Sequence, residues 1–278
     1  MGISVLIAVC GKDSSVFLER ALVSMTVEQT RRPDEVVLVT DGPIPIELEA
    51  VVRRWQRELG PCFMVVPLNE NVGLGAALNA GLAKCSHSLV ARMDADDVAL
   101  PTRLEVQANF LEEHDEVDVL GSGCVEIDYG GVERDIRLMP ADHEAIVDAL
   151  WSCPLIHPSI MFRREKILAV GGYDDGLRRR QDYELWFRAA QQGIRFGNIQ
   201  KPLIQYRFGG ETHKRQSASV AWRQALIGFR GSRQLGLLWW KQVGCFVPFF
   251  RSLLPHRMQH MVYRIQKWVD PRRRGGNS

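Results

Sequence analysis

Three aspartates stand close together at the end of an apolar run. The run Leu89–Met93 is typical of a buried β-strand, and Asp94, Asp96 and Asp97 follow at its carboxyl end. Carboxylates crowded into a small volume resist ionising together unless a cation lies between them. Hard oxygen ligands of this kind suit Mg²⁺ or Mn²⁺. The alternative is a solvated turn in which Asp97 caps the helix that begins near Pro101.

Strand-like runs alternate with helical patterns through the first half of the chain. The predicted strands are Val5–Val9, Val36–Thr40, Phe63–Val66, Leu89–Met93 and Val117–Leu120. The predicted helices lie near Ser15–Gln29, Ile46–Leu59, Gly73–Cys85 and Pro101–His114. Such alternation implies an α/β fold with βαβ crossovers and a mostly parallel sheet. Ligands bind outside the carboxyl ends of such strands, where Asp41, Asn69 and Asn71 join the aspartate cluster.

The pattern becomes less regular beyond residue 122. Further strands are predicted at Val125–Tyr129, Ser159–Phe162, Phe196–Ile199 and Leu203–Tyr206. Helices are predicted near Asp142–Trp151 and Gln181–Gln192, the second closed by Gly193. These short elements predict that the second half completes the same fold.

Charge is distributed unevenly along the chain, although its overall composition is that of an ordinary globular protein. The segment from Gly231 onward has nine basic residues and one acidic residue, which leaves −6 on residues 1–230 because the whole chain is +2. An acidic body disfavours nucleic acid as a partner, and a basic tail indicates an anionic surface. The six cysteines are scattered without a CxxC pair, which favours a reduced, cytoplasmic compartment.

Residues 231–278 are expected to form a basic amphipathic, membrane-associating region. The apolar stretch Leu235–Leu254 contains Lys241, Pro248 and Arg251, so we do not predict a transmembrane helix. Beyond it, basic residues alternate with apolar residues at three- or four-residue steps, a pattern typical of a helix in a membrane interface. The apolar positions are Leu254, Met258, Met261, Ile265 and Trp268. Packing of this helix on the protein's own core is the alternative.

Common nucleotide-binding signatures are absent from the sequence. It has no GxxxxGK[ST] motif, which argues against a P-loop enzyme. The segment Asn71–Gly81 is glycine-rich but fails GxGxxG because Leu78 holds the place of the third glycine. Small residues at a helix start let its backbone approach an anion. Tight packing of the helix on a strand explains them equally well.

Several segments together resemble the inverting family-2 glycosyltransferases, which have a GT-A fold. The resemblance runs from about residue 3 to about residue 215, and its segments are Ser4–Val9, Pro33–Gly42, Asn69–Leu74, Leu78–Gly81, Arg92–Asp97, His157–Ser159, Gly171–Tyr173 and Gln181–Trp186. The chain looks most like the bacterial enzymes that build exopolysaccharide, capsule or O-antigen units. The resemblance implies a GT-A domain over residues 1–230. Its nucleotide-sugar half would be about 1–121 and its acceptor half about 122–230.

The resemblance also implies roles for the matched residues. Asp41 would bind uracil and Asp94 the ribose, while Asp96 and Asp97 would hold the Mn²⁺ or Mg²⁺ that stabilises the leaving diphosphate. Other implied nucleotide-sugar contacts are Ala8, Val9, Asn71, Gly73, Asn79, Arg92 and Ala95. His213 is implied as a further metal ligand. The alternatives are a turn-forming Asp-Gly at Asp41 and a solvated loop histidine at His213.

Asp182 is implied to be the general base, which takes a proton from the acceptor hydroxyl. One base with a metal-assisted leaving group implies displacement with inversion, whereas a glycosidase needs two carboxyls flanking the bond. Many relatives carry Glu before this Asp, but this chain has Gln181. The alternative for Asp182 is an acid favoured by the dipole at a helix N-terminus.

The resemblance implies transfer of a hexose from a nucleotide sugar, UDP-linked, to a lipid-linked saccharide at the cytoplasmic face of the plasma membrane. One alternative is a sugar-1-phosphate nucleotidyltransferase, although residues 10–15 offer only one glycine and one lysine for its phosphate loop. Another is a non-catalytic, membrane-associated binding protein in which the acidic cluster is incidental.

Overall fold

A mixed nine-stranded sheet lies at the centre of the computed structural model, which describes residues 1–208 and 217–253. Its strands are β1 (Ile3–Cys10), β2 (Glu35–Asp41), β3 (Phe63–Pro67), β4 (Leu89–Asp94), β5 (Val98–Ala99), β6 (Val119–Ile127), β7 (Glu133–Arg137), β8 (Met161–Arg163) and β9 (Phe196–Arg207). The strand order is β3-β2-β1-β4-β8-β6-β9-β5, and β7 pairs with β6.

Helices cover both faces of this sheet. They are α1 (Ser15–Met25), α2 (Ile46–Leu59), α3 (Leu74–Leu82), α4 (Arg103–Glu113), α5 (His143–Ala149), α6 (Arg164–Ala169), α7 (Gln181–Gln191), α8 (Ala218–Gln234), α9 (Trp239–Gly244) and α10 (Val247–Ser252). Val5 and Ile7 of β1 belong to a core with α1, α2 and α4, whereas Leu6 belongs to a core with α3 and α7. This division follows from the alternation of side chains along a strand.

The first half of the sheet is parallel, in the order β3-β2-β1-β4. Cys10 pairs with Asp41, and Ala8 pairs with Asp94. The carboxyl ends of three neighbouring strands therefore lie side by side. Every predicted element of residues 1–114 is confirmed, and α2 begins and ends at the predicted residues.

The second half of the sheet is mainly antiparallel. The pairs β4–β8, β5–β9, β6–β7 and β6–β8 are antiparallel, and β6–β9 is parallel. The parallel part of the sheet is therefore smaller than predicted. The strands predicted at Val117–Leu120 and Val125–Tyr129 form one strand, β6, and those predicted after residue 195 form one strand, β9. Register shifts near Gly123 interrupt this long pair, so the sequence pattern breaks although the strands continue.

The three C-terminal helices form a unit that packs on α7. Helix α8 contacts α7, while α9 and α10 pack on α8. Within the described ranges, none of the helices combines the length and the apolar character needed to cross a membrane. The amphipathic helix predicted from Leu254 to Trp268 lies outside the described residues.

Candidate active site

A cavity of about 700 Å³ opens at the carboxyl ends of β1, β2 and β4. Eight residues with predicted site roles line it: Ala8, Val9, Asp41, Asn71, Gly73, Asp94, Ala95 and Asp96. The cavity wall is completed by Cys10, Gly11, Lys12, Asp13, Pro43, Leu74, Arg178 and Arg179. The predicted residues Asn79, Arg92, Asp97 and Asp182 are not part of this described lining. The predicted ligand-binding edge is therefore a concave site.

The aspartate cluster lies at the end of β4. Ligand oxygens of Asp94, Asp96 and Asp97 lie within 4.8 Å of one another. Asp97 Oδ1 accepts a hydrogen bond of 2.6 Å from the backbone N–H of Arg207, and Arg207 Nε donates to the Asp96 carbonyl at 2.8 Å. The end of β9 therefore fixes the loop that carries the acids. The alternative of a helix cap is wrong for Asp97, because Thr102 is the N-cap residue of α4 and β5 separates Asp97 from that helix.

Burial and mutual repulsion shift the pKa values of this cluster. Burial, and then the Asp94 charge, raises the pKa of Asp96 to about 6. Burial, Asp94 and Asp96 raise the pKa of Asp97 well above its usual range. Asp97 Oδ2 is buried and has no hydrogen-bond partner among residues 1–208 and 217–253. A divalent cation with oxygen ligands fits this donor set because it would neutralise the crowded carboxylates and satisfy that oxygen.

Arg92 supports Asp94 from inside the protein. Its side chain is 1 % exposed, and Nη2 forms an ion pair with Asp94 Oδ1. The neighbouring Asp94 charge opposes the effect of burial and raises the pKa of Arg92. Arg92 therefore acts on the described site through Asp94 rather than at the cavity wall.

Asp41 is held by the loop that precedes α3. Its Oδ1 accepts from the N–H of Val72 at 2.7 Å, and its Oδ2 accepts from Asn71 Nδ2 at 2.8 Å and from the N–H of Gly73 at 3.1 Å. Asp41 is also one of the residues that line the cavity. Gly81, at the far end of the glycine-rich segment, has no room for a Cβ against Leu6 and Val39. Tight packing on the sheet therefore explains this glycine.

Four charged cavity residues come from two loops. Asp13 Oδ2 accepts a 2.7 Å bond from the Cys10 N–H, and burial raises the pKa of Asp13. Lys12 lies beside it, and Arg178 and Arg179 reach the cavity from the segment before α7. No site role was assigned to Asp13 or Lys12 from the sequence. The place of both after a predicted strand was the available signal.

Asp182 lies in the first turn of α7, which the left-handed Arg180 precedes. Its charge and that of Asp94 both act on the Tyr173 hydroxyl, whose pKa burial raises. Tyr173 Oη is 2.8 Å from His157 Nε2, and burial lowers the pKa of this histidine well below its usual range. His157 is therefore a buried, hydrogen-bonded side chain.

Asn79 joins α3 to the loop before α7. Its Nδ2 donates to the Tyr173 carbonyl at 2.7 Å and to Asp175 Oδ1 at 2.6 Å, and its Oδ1 accepts from the Tyr173 N–H at 2.8 Å. These hydrogen bonds do not test the nucleotide contact predicted for Asn79, which stays a prediction. His213, the predicted further metal ligand, lies outside the described residues.

Comparison with known proteins gives a family match and close relatives. The model of the glycosyl transferase family 2 matches residues 4–172. The amylovoran biosynthesis glycosyltransferase AmsE of Erwinia amylovora is 40 % identical over 208 residues, which cover 75 % of this chain and 77 % of the relative. The UDP-Gal:alpha-D-GlcNAc-diphosphoundecaprenol beta-1,3-galactosyltransferase of Escherichia coli is 36 % identical over 214 residues, which cover 77 % of this chain and 76 % of the relative.

Solved structures share the fold at low sequence identity. S. aureus TarS 1-349 in complex with UDP-GlcNAc has a TM-score of 0.68 and 18 % identity, and the match covers 98 % of this chain and 82 % of that one. The mannosyltransferase PcManGT from Pyrobaculum calidifontis, in complex with GDP-Man and Mn²⁺, has a TM-score of 0.62 and 19 % identity with the same coverage. At these identities the likeness concerns the fold, which is the predicted GT-A fold.

Proposed function

This chain belongs to glycosyl transferase family 2, and we propose that it transfers a hexose from a UDP-sugar to a lipid-linked saccharide in bacterial surface polysaccharide synthesis. The observation that carries the proposal is the cavity, which is lined by Asp94 and Asp96 of the aspartate cluster and by the basic residues Lys12, Arg178 and Arg179. The name of the Escherichia coli relative supports the choice of donor and acceptor, since it describes galactose transfer from UDP-Gal to a diphosphoundecaprenol-linked sugar. The name of AmsE supports polysaccharide synthesis.

The proposed donor lies along the sheet edge. Asp41 binds the uracil and Asp94 binds the ribose, and both residues line the cavity. Asp96 and Asp97 hold Mn²⁺ or Mg²⁺, which when bound stabilises the leaving nucleoside diphosphate as a Lewis acid. The cations Lys12, Arg178 and Arg179 at the cavity wall neutralise the remaining diphosphate charge.

Asp182 is the proposed general base. It removes the proton from the acceptor hydroxyl as that oxygen forms a bond to the anomeric carbon. The bond from the anomeric carbon to the diphosphate oxygen breaks on the opposite side, so configuration is inverted. Two observations support this role: Asp182 lies in the first turn of α7, and Arg178 and Arg179 of the segment just before this turn line the cavity.

The proposed domain organisation follows from the charge distribution. Residues 1–230 form the catalytic domain, with the donor half at about 1–121 and the acceptor half at about 122–230. Residues 231–278 associate with the inner face of the plasma membrane, because their basic charge suits anionic lipids. A lipid-linked acceptor would meet the cavity from that membrane.

Metal dependence gives the first test. Thermal unfolding of the purified protein is measured with UDP, with Mn²⁺ and with both. A ligand at 100 times its dissociation constant raises the unfolding free energy by about 2.7 kcal/mol, so the combined addition gives a clear increase in Tm. UDP-sugar hydrolysis or transfer then requires the metal. Full activity in EDTA, or pyrophosphate release from a nucleoside triphosphate, contradicts the proposal.

The base is tested by Asp182→Asn beside Glu184→Gln. Both acids lie in the first turn of α7, and Glu184 pairs with Arg188. Asp182→Asn should lower kcat at least about a hundredfold because proton removal is lost, while UDP binding persists. Glu184→Gln should change kcat little because Glu184 pairs with Arg188 and is not among the described residues of the cavity wall. Equal effects of both variants would assign Asp182 to the helix dipole instead.

A further inference from the structure

We infer that the exposed apolar face of α9 and α10 docks on an anionic lipid bilayer. We call this face the aromatic surface: Trp239, Trp240, Val243, Val247, Phe250 and Leu253. The inference rests on the proposed function, which requires a lipid-linked acceptor. It adds the surface through which the enzyme reaches the bilayer that holds this acceptor. Trp239 is 75 % exposed and Phe250 is 60 % exposed. Apolar exposure concentrated in one patch marks an interaction surface.

Exposure is concentrated at this end of the described chain. Eight of the sixteen large hydrophobic side chains that are exposed in the described residues lie between Trp222 and Leu253. The others are spread over the rest of the fold, where single exposed apolar residues are common. The aromatic surface is therefore a local feature of the C-terminal helices.

Ring contacts hold the aromatic surface in place. The Trp222 ring lies 4.9 Å from that of Phe249 and 5.5 Å from that of Phe246, and Phe249 lies 5.6 Å from Phe250. Trp240 meets the edge of Trp151 in the catalytic domain at 5.7 Å. These contacts leave the outer rings available on short, packed helices.

The charges around this surface favour an anionic partner. Between Glu211 and Asp270 the sequence contains no acidic residue. Arg223, Arg230 and Arg233 of α8 are exposed, whereas Lys241 is buried and paired with Asp148. Tryptophan and phenylalanine in a segment that carries arginines and no acidic residue suit the headgroup region of an anionic bilayer.

The same charges disfavour two other partners for the aromatic surface, namely a second copy of the chain and residues 254–278. A two-fold dimer through this face would bring the basic surfaces of two copies together. Residues 254–278 contain six basic residues and one acidic residue, so they offer no charge complement either. An anionic bilayer attracts both the described surface and this basic segment.

Helix α8 connects the aromatic surface directly to the helix that carries the proposed base. Gly228 packs against Tyr183 and Gly231 packs against Phe187, with no room for a Cβ at either glycine. Tyr183 Oη also donates to the Trp151 carbonyl at 2.8 Å. Docking on a bilayer therefore fixes the position of α7, and with it Asp182, relative to the lipid surface.

The test compares two double variants of the full chain in vesicle sedimentation. The vesicles contain phosphatidylcholine alone or an equimolar mixture with phosphatidylglycerol. Trp239→Glu/Phe250→Glu should weaken partitioning to the mixed vesicles at least about tenfold, because it removes apolar burial and adds negative charge. The matched control is Val132→Glu/Ile136→Glu, at positions 56 % and 62 % exposed beside and on β7, which should bind as the wild type does.

The outcomes separate this inference from the proposed function. Wild-type binding by Trp239→Glu/Phe250→Glu, or equal loss in both double variants, overturns the inference. A second result also overturns the inference: the wild type does not bind vesicles but self-associates, and Trp239→Glu/Phe250→Glu abolishes that self-association. Metal-dependent UDP-sugar hydrolysis by all variants leaves the proposed function standing in each case. Vesicle binding by a wild type without that hydrolysis would sink the proposed function and leave the docking surface.

Discussion

The acidic edge of the sheet and the aromatic surface differ in how their side chains are held. We define the acidic edge as Asp13, Asp41, Asp94, Asp96 and Asp97. In that edge, backbone N–H groups hold the carboxylates of Asp13, Asp41 and Asp97, and Arg92 holds Asp94. Within residues 1–208 and 217–253, the outermost side chains of the aromatic surface are held by ring packing rather than by hydrogen bonds. Hydrogen bonds fix direction, which chemistry at a few atoms needs, whereas partition into an apolar phase needs mainly area.

The two regions meet at α7. The segment that leads into its N-terminal turn reaches the cavity through Arg178 and Arg179, and its buried aromatic side chains contact α8. A change at either end of α7 therefore tests whether the regions are independent. If they are, damage to one should leave the other intact.

The largest expected effect comes from disturbing the packing of α8 on α7. Gly231→Ala places a Cβ against the buried Phe187 ring and should lower the unfolding free energy by about 2–3 kcal/mol. Because Phe187 and Asp182 share α7, kcat for donor hydrolysis should fall as well at temperatures where the protein is folded. Chemical denaturation and initial rates measure the two effects.

Gly236→Ala is the control for this change. Gly236 has φ of +68° and nothing within 4 Å of an added Cβ, so the cost is backbone strain of about 1 kcal/mol without contact to α7. Its kcat should stay at the wild-type value. A fall in kcat for Gly236→Ala alone would contradict a connection through Gly231.

A smaller effect is expected within the acidic edge, where one substitution should raise the stability of the metal-free protein and remove its stabilisation by metal. Burial and Asp94 raise the pKa of Asp96 to about 6, so its ionised form destabilises the metal-free protein at neutral pH. Asp96→Asn should therefore raise metal-free stability by about 1–2 kcal/mol. It should also abolish the increase in Tm from Mn²⁺ with UDP. Glu113→Gln, at an exposed acid of α4, should change neither value, and a normal Mn²⁺ response of Asp96→Asn would remove this residue from the metal site.

The sequence predicted the acidic edge better than the region that surrounds it. Parallel strands show as continuous apolar runs, and the polar residues at their ends are easily located, as at Asp41 and Asp94. Strand β7 escaped prediction because its residues are mostly exposed and charged. Helix α8 was missed because glycines and serines interrupt its apolar pattern.

Contacts distant in sequence account for the rest of the site. Nothing in the local pattern around Asp97 indicates that Arg207, 110 residues later, holds its carboxylate. Nor does the spacing of Asn71 and Asp41 reveal their hydrogen bond, because a register between neighbouring strands creates it. The carboxylate types were readable, whereas the groups that orient them depend on the folded chain.

The smallest expected effect on ligand binding separates two roles of Asn79, the link between α3 and the loop before α7. Asn79→Ala leaves the Tyr173 N–H and carbonyl without this partner, which should cost about 1–2 kcal/mol of unfolding free energy. Since the side chain is engaged away from the cavity wall, the KM for UDP-sugar should change little. A tenfold or larger increase in KM, which corresponds to about 1.4 kcal/mol of binding free energy, would instead support direct nucleotide contact. Either result shows whether the acidic edge depends on the loop of α7 for its shape or for its ligand contacts.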